Sequence, residues 1–171
     1  SFPTRRSSDL NGVATTQIFQ LDKSFGADGM VVKNDIAKIT DLKGKTVAAS
    51  APGTAPYFTL AWMLKKNGMT TKDVKIVNLE PQAAANAMIA GNAGIDAALT
   101  YEPYLSAVRA KPEAGKIIAT TLDYPMIMDT FGCVPKFLAD NPKAAKAIAD
   151  MLAVDLGELV TAAAGHHLGR A

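Results

Sequence analysis

Cysteine is all but missing from the 171 residues. Cys133 stands alone, so neither an internal disulfide framework nor a multi-cysteine metal site can be built. Histidine is equally scarce, with only His166 and His167, both in the terminal segment "GHHLGRA". No apolar run approaches the roughly 20 residues that a membrane-spanning helix needs. No charge of one sign dominates either: 18 basic and 16 acidic residues leave a net charge of +2. They are scattered along the chain, so no basic stripe for a phosphate backbone can be drawn and nucleic acid is not expected as a partner. No internal repeat of solenoid length is present. What the chain does have is 49% hydrophobic residues, enough for one sizeable core.

The opening stretch "SFPTRRSSDL", Ser1 to Leu10, has two arginines, three serines and no apolar rhythm. It lacks the apolar centre of a secretory leader, and it resembles the translation of a common sequencing adapter in one frame. It is set aside from the fold on that reading. Natural sequence is then expected from about Asn11, with earlier residues of the protein missing.

After Asn11 the punctuation is regular. "TTQIFQL" (15–21) and "GMVVK" (29–33) read as strands separated by the polar, glycine-bearing "DKSFGAD". "ITDLKGKTVAAS" gives a helical turn over 40–43, a stop at Gly44 and a strand over 46–50. In "APGTAPYFTLAWMLKKNGM", Thr54 is placed to cap a helix with Pro56 in its first turn. Leu60, Met63 and Leu64 form its buried stripe, and Gly68 closes it. The alternation continues with strands at 75–79, 95–101 and 115–121 and helices at 81–91 and 102–111. A further strand holds Cys133, and helices follow from Pro135 or Lys136 to Ala139 and from Pro142 to about Ala153, the second capped by Asn141. This pattern predicts an α/β lobe, a doubly wound, mostly parallel sheet with helices on both faces.

In such a sheet, ligands bind outside the carboxyl ends of the strands. Four turns then become candidates: 50–57, 79–82, 100–104 and the incoming connection 22–28. The first is the most informative, because Gly53 and Thr54 put backbone N–H groups at a helix start, where an anionic or carbonyl oxygen is favoured. Plain capping by Thr54 explains the same residues. The segment "GTAPYF" lacks the Gly-Lys-Ser/Thr ending of a phosphate loop.

Five phrases in order, "SFGADGMVVKNDIAKITDLKGKTVAAS", "PGTAPYFTLAWMLKKNGM", "DVKIVNLEP", "AMIAGNAGIDAALTYEPYLS" and "FLADNPKAAKAIADML", resemble the solute-binding proteins of ABC importers in the nitrate, taurine and sulfonate group, akin to the NMT1/THI5-like domain. The resemblance runs from Thr15 to about Leu152. It implies a two-lobed binding protein of the type II periplasmic kind that closes about a hinge, captures a small nitrogenous or sulfonate-type solute in the cleft between its lobes and delivers it to a membrane permease. On it, 11–33 would be the end of lobe one and the crossing, 34–121 the whole of lobe two, and 122–171 the return hinge with part of lobe one. Lobe one would be incomplete and the fragment binding-deficient. The hinge is expected at 28–33 and 123–131. The intact protein would be a monomer in the periplasm or lipid-anchored outside the cytoplasm, with no cofactor and no metal.

The resemblance also implies ligand-binding positions: Gly53, Thr54, Ala55 and Tyr57 at the helix start, Tyr101 and Glu102 in the "TYEP" turn, Asp22 and Ser24 before "GAD", and Asp129 after the return crossing. Tyr57 stands near a position where many relatives carry histidine, and "GNAGID" lengthens a usually shorter turn, so ligand identity does not carry over. The acids Glu102 and Asp129, with no arginine in the four turns and Arg109 on the outer part of a helix, point to an amine-bearing, zwitterionic or neutral nitrogenous solute. Glu102 would pair its cation, or else merely cap its helix. Tyr57 and Tyr101 would stack on a flat ligand or serve packing alone, and Trp62 reads as core or lobe surface. Met126 and Met128 read as hinge packing.

Two other classes share this architecture: the ligand-sensing domain of LysR-type transcription regulators, and a THI5-like pyrimidine synthase. An enzyme is not expected, because neither histidine matches a cleft position and Cys133 reads as a small buried hydrophobe. Beyond Leu152 the resemblance ends, although Leu152, Leu156, Leu159 and Val160 would share one helical face.

Overall fold

A computed structural model describes residues 7–10, 13–144, 146–148, 150 and 151. His166, His167 and the apolar face expected over 152–160 lie outside these. The chain divides into a larger compact unit, residues 23–128, and a smaller one made of the described residues of 1–22 and 129–171.

The larger unit is built on strands β3 (Asp28–Val32), β4 (Thr46–Ala49), β5 (Lys75–Asn78), β6 (Ala97–Tyr101) and β7 (Lys116–Thr120), in the order β5-β4-β6-β3-β7. β4 is parallel to both β5 and β6, while β3 is antiparallel to β6 and β7. Four strands therefore share one direction and β3 alone runs against them. The lobe is the α/β architecture that the alternating pattern predicts, but its sheet is mixed, with two parallel and two antiparallel pairings where a mostly parallel one was expected.

Side-chain alternation decides which helix covers which face. Met30, Val32, Val47, Ala49, Ala97 and Leu99 pack with Leu60, Met63 and Leu64 of helix α1 (Ala55–Lys66). Val31, Ala48 and Ala98, one residue out of step, pack with Ala84, Ala85 and Met88 of α2 (Pro81–Ile89) and with Leu105 and Val108 of α3 (Tyr104–Arg109). The strand alanines leave room for helices to lie close on both sides. α1 begins at Thr54, whose hydroxyl accepts from the Tyr57 N–H, and it ends where Gly68, at φ +72°, donates to the Lys65 carbonyl.

Two boundaries differ from the sequence reading. The segment 28–33, expected to serve as a crossing between lobes, is the sheet strand β3. Met30, Val31 and Val32 are fully buried because both faces of the strand are covered. The helix expected over 102–111 is confined to α3, with Glu102 and Pro103 ahead of it.

In the smaller unit, β1 (Ser7–Leu10), β2 (Val13–Lys23) and β8 (Met128–Cys133) form a sheet in the order β1-β2-β8. Residues 7–10, part of the stretch set aside from the fold, pair antiparallel with β2, with Leu10 opposite Val13. The backbone groups along that edge of β2 thereby gain partners. Phe19 and Phe131 stack with centroids 5.2 Å apart, and Cys133 is half-buried on β8. Helix α4 (Pro135–Asp140) follows and is capped at its C-terminal end by Asn141, whose amide donates to the Phe137 carbonyl. Residues 142–144 and 146–148 are helical.

Candidate functional site

The ends of β4, β5, β6 and β7 and the start of the reversed β3 all lie on one edge of the larger sheet. From β4 the chain passes through α1 to β5 on one side, then through α2 to β6 on the other side of β4. Winding reverses between β4 and β6, and a crevice forms at such a point outside the strand ends.

The β4 side of this crevice is the α1 start. Ala51 accepts both the Thr54 N–H at 3.2 Å and the Thr54 hydroxyl at 2.8 Å, closing a tight turn. Gly53 takes φ +92° in that turn, a conformation that favours glycine, and the space a side chain there would enter is open. The first helical turn then has few donors. Pro56 has no N–H, and those of Tyr57 and Phe58 go to the Thr54 side chain and carbonyl. Among the described residues, the N–H groups of Gly53 and Ala55 have no partner. Both lie at the positive end of α1, where free donors and the helix dipole favour an electronegative atom. Tyr57 is half-buried beside them.

The β6 side is the Tyr101 to Tyr104 turn. Tyr101 is 38% exposed and its ring lies 5.9 Å from that of Tyr104. Glu102 is turned toward its own helix: one carboxylate oxygen accepts the Ser106 N–H at 2.9 Å and the other the Arg109 guanidinium at 3.3 Å. Partial burial alone would raise its pKa, but the hydrogen bonds from Ser106 and the charge of Arg109 outweigh this and hold it below the ordinary glutamate range. Of the two roles open to Glu102 in the sequence, the structure displays capping, and Arg109, read as an outlying residue, is its counter-ion.

Ser24 lies at the same edge, half-buried, with its hydroxyl already used. It donates to Asp28 at 2.5 Å and lies 2.8 Å from the Thr121 hydroxyl. Thr121, fully buried, also accepts the Gly26 N–H at 2.9 Å. This network was not legible in the sequence, where Thr121 is only the last residue of an expected strand. Beside it Phe25 is 81% and Leu122 55% exposed, and Leu122 packs against Gly26. Thus Ser24, Gly53, Thr54, Ala55, Tyr57, Tyr101 and Glu102 share one edge of the larger unit. Asp22 on β2 and Asp129 on β8 are exposed residues of the smaller unit.

The NMT1-like family model matches residues 5–166. The taurine-binding periplasmic protein of Escherichia coli is 37% identical over 103 residues, covering 60% of this chain and 30% of that protein. A putative sulfonate ABC transporter's periplasmic sulfonate-binding protein from Methylobacillus flagellatus superposes with a TM-score of 0.70 at 25% identity, over 88% of this chain and 45% of that one. A desulfurization enzyme shares the fold alone, with a TM-score of 0.54 at 15% identity over 94% of this chain and 62% of that one. The chain spans about a third to a half of the length of the taurine- and sulfonate-binding proteins it matches. With the family match covering nearly all of its residues, the chain belongs to the NMT1-like family.

Proposed function

We propose that this chain is part of the solute-binding component of an ABC importer, acting on the extracytoplasmic side and passing its solute to a membrane permease. The observation that carries the site is the pair of unpartnered N–H groups at Gly53 and Ala55, placed where the winding of the sheet reverses. Two free amides at a helix start suit an oxygen-rich head such as a sulfonate. The sequence alone favoured an amine-bearing, zwitterionic or neutral nitrogenous solute, because the acids Glu102 and Asp129 would repel a purely anionic one. With Glu102 held by Ser106 and Arg109, its own part of that objection is reduced. A sulfonate, including a zwitterionic aminosulfonate, is therefore the solute class proposed, with Tyr57 and Tyr101 against its body. Binding without chemical conversion is the proposed activity.

Ala55→Pro removes one donor at a helix position that tolerates proline. Ligand-detected NMR, which reads weak binding, should show that the unmodified chain, although it spans only part of its relatives' length, retains weak binding of taurine and a short alkanesulfonate, weakened about a further tenfold in the variant. Unchanged binding by Ala55→Pro would overturn the amide site. Failure of both sulfonates to bind while nitrate does would overturn the solute class.

A further inference from the structure

Glu80 stands at the N-cap of α2, where an acid ordinarily accepts the N–H groups of the first helical turn. It makes no such bond. Its carboxylate is turned instead to the end of β4, where one oxygen accepts the Ser50 hydroxyl at 3.4 Å. Ser50 is 2% exposed, so this contact joins a buried donor to an acid that is itself open to solvent. The backbone around Glu80 is fastened on both sides: the Leu79 N–H donates to the Ala49 carbonyl at 3.2 Å, and the Pro81 carbonyl accepts the buried Thr100 hydroxyl at 2.9 Å. Glu80 is thus held over the ends of β4 and β6, where the winding reverses. Among the described residues its second oxygen has no hydrogen-bond partner, and no lysine or arginine pairs with it.

Ser50, which anchors this carboxylate, also opens the turn that ends on the free amides of Gly53 and Ala55, and the Ala51 carbonyl folds that turn tight. One short segment therefore has an uncompensated negative charge beside its start and two unpaired donors at its end. The other acids of the crevice edge are placed or engaged differently. Glu102 is held by Ser106 and Arg109. Asp28 opens β3 and Asp123 follows β7, two and three strands from β4 in the sheet, which is about 10 and 14 Å at the usual strand spacing. Asp28 accepts the Ser24 hydroxyl and Asp123 the Thr120 N–H. We infer that Glu80 is the ammonium acceptor of the crevice and that the solute is an aminosulfonate, its sulfonate on the Gly53 and Ala55 amides and its ammonium on Glu80. The inference rests on the amide site proposed above. The pairing that the sequence offered to Glu102 passes to the acid that does not cap its helix.

The test compares taurine with propane-1-sulfonate, in which a methyl group replaces the ammonium at the same chain length. Ligand-detected NMR reads the affinity of the full chain for each at about 0.05 M salt, where exposed charges are weakly screened. Taurine should bind about fivefold more tightly, as expected of a good ion pair open to solvent. Glu80→Gln keeps an oxygen for the Ser50 hydroxyl and removes the charge. It should erase the preference by weakening taurine alone, and unchanged binding of propane-1-sulfonate shows that the amide site is intact in the variant. Circular dichroism checks its fold; if the variant does not fold, the unaltered chain decides, because its preference for taurine should shrink at about 0.5 M salt. Equal binding of the two solutes by the unaltered chain, a preference indifferent to salt, or one that survives in folded Glu80→Gln would each overturn the role of Glu80 and leave the amide site standing. Binding of neither solute would overturn the amide site and this inference with it.

Discussion

The hydroxyls of Ser24 and Thr121 lie 2.8 Å apart across 97 residues of chain. They tie the segment entering the larger unit to the one leaving it. The Ser24 N–H also donates to the Ile127 carbonyl, and the Thr121 N–H to that of Asp28. Both connecting segments are thus fastened to the sheet, which explains why the larger unit extends to residues 23 and 128 and not merely to the strands within.

Thr121→Val keeps the shape of this fully buried residue but deprives the Gly26 N–H and the Ser24 hydroxyl of their shared partner. A loss of about 1–3 kcal/mol is expected in urea unfolding. A variant within a few tenths of a kcal/mol of the original would show that water replaces the hydroxyl at no cost.

Thr59 makes the opposite case. Among the described residues its buried hydroxyl in α1 has no hydrogen-bond partner, and the residue is 1% exposed. Thr59→Val retains the β-branched shape and removes the unsatisfied oxygen. Stability should stay level or rise by about 1 kcal/mol, read from the same unfolding curves.

Thr54→Ala removes the side-chain acceptor of the Tyr57 N–H and the donor to the Ala51 carbonyl. About 1 kcal/mol of stability should be lost, and Thr54→Ser should restore most of it. If alanine costs nothing, the hydroxyl does not stabilise the turn that presents Gly53 and Ala55.

Glu102 links stability to pH. Its folded pKa lies below the unfolded value, so its contribution is complete above the ordinary carboxylate range, about pH 4, and is lost as pH falls through the lower folded value. Asp96 acts in the same direction: burial opposes its ionised form, but the Thr46 N–H and Lys33 prevail. Acid unfolding of Glu102→Gln should show a shallower loss of stability below pH 4 than that of the unaltered chain. Identical slopes would mean that the Arg109 contact persists in the unfolded chain or is absent from the folded one.

Much of the fold was legible because local chemistry and burial agree. Thr54, Pro56, the Leu60–Met63–Leu64 stripe and Gly68 mark α1 almost to the residue. Short Val, Ile and Ala runs between helices of opposite facing identify a doubly wound sheet. The role of β3 was not legible, since "GMVV" looks the same in a connecting segment as in a reversed central strand, and only the pairing with β6 and β7 decides. Within the site, the α1 start was readable from Gly53 and Thr54. The state of Glu102 was not, because its partner Arg109 lies seven residues on and meets it only through the geometry of the turn before α3. The Ser24 to Thr121 contact shares that limit, its residues being separate in sequence and joined by topology.

The most direct measurement is a two-dimensional amide NMR titration of the isotopically labelled chain with a short alkanesulfonate. Capture at the reversal point of the sheet predicts that the Gly53 and Ala55 amide signals move first and furthest, saturably, with smaller shifts at Tyr57 and Tyr101. Saturable shifts elsewhere that leave Gly53 and Ala55 in place, or no shifts at any concentration, would contradict it.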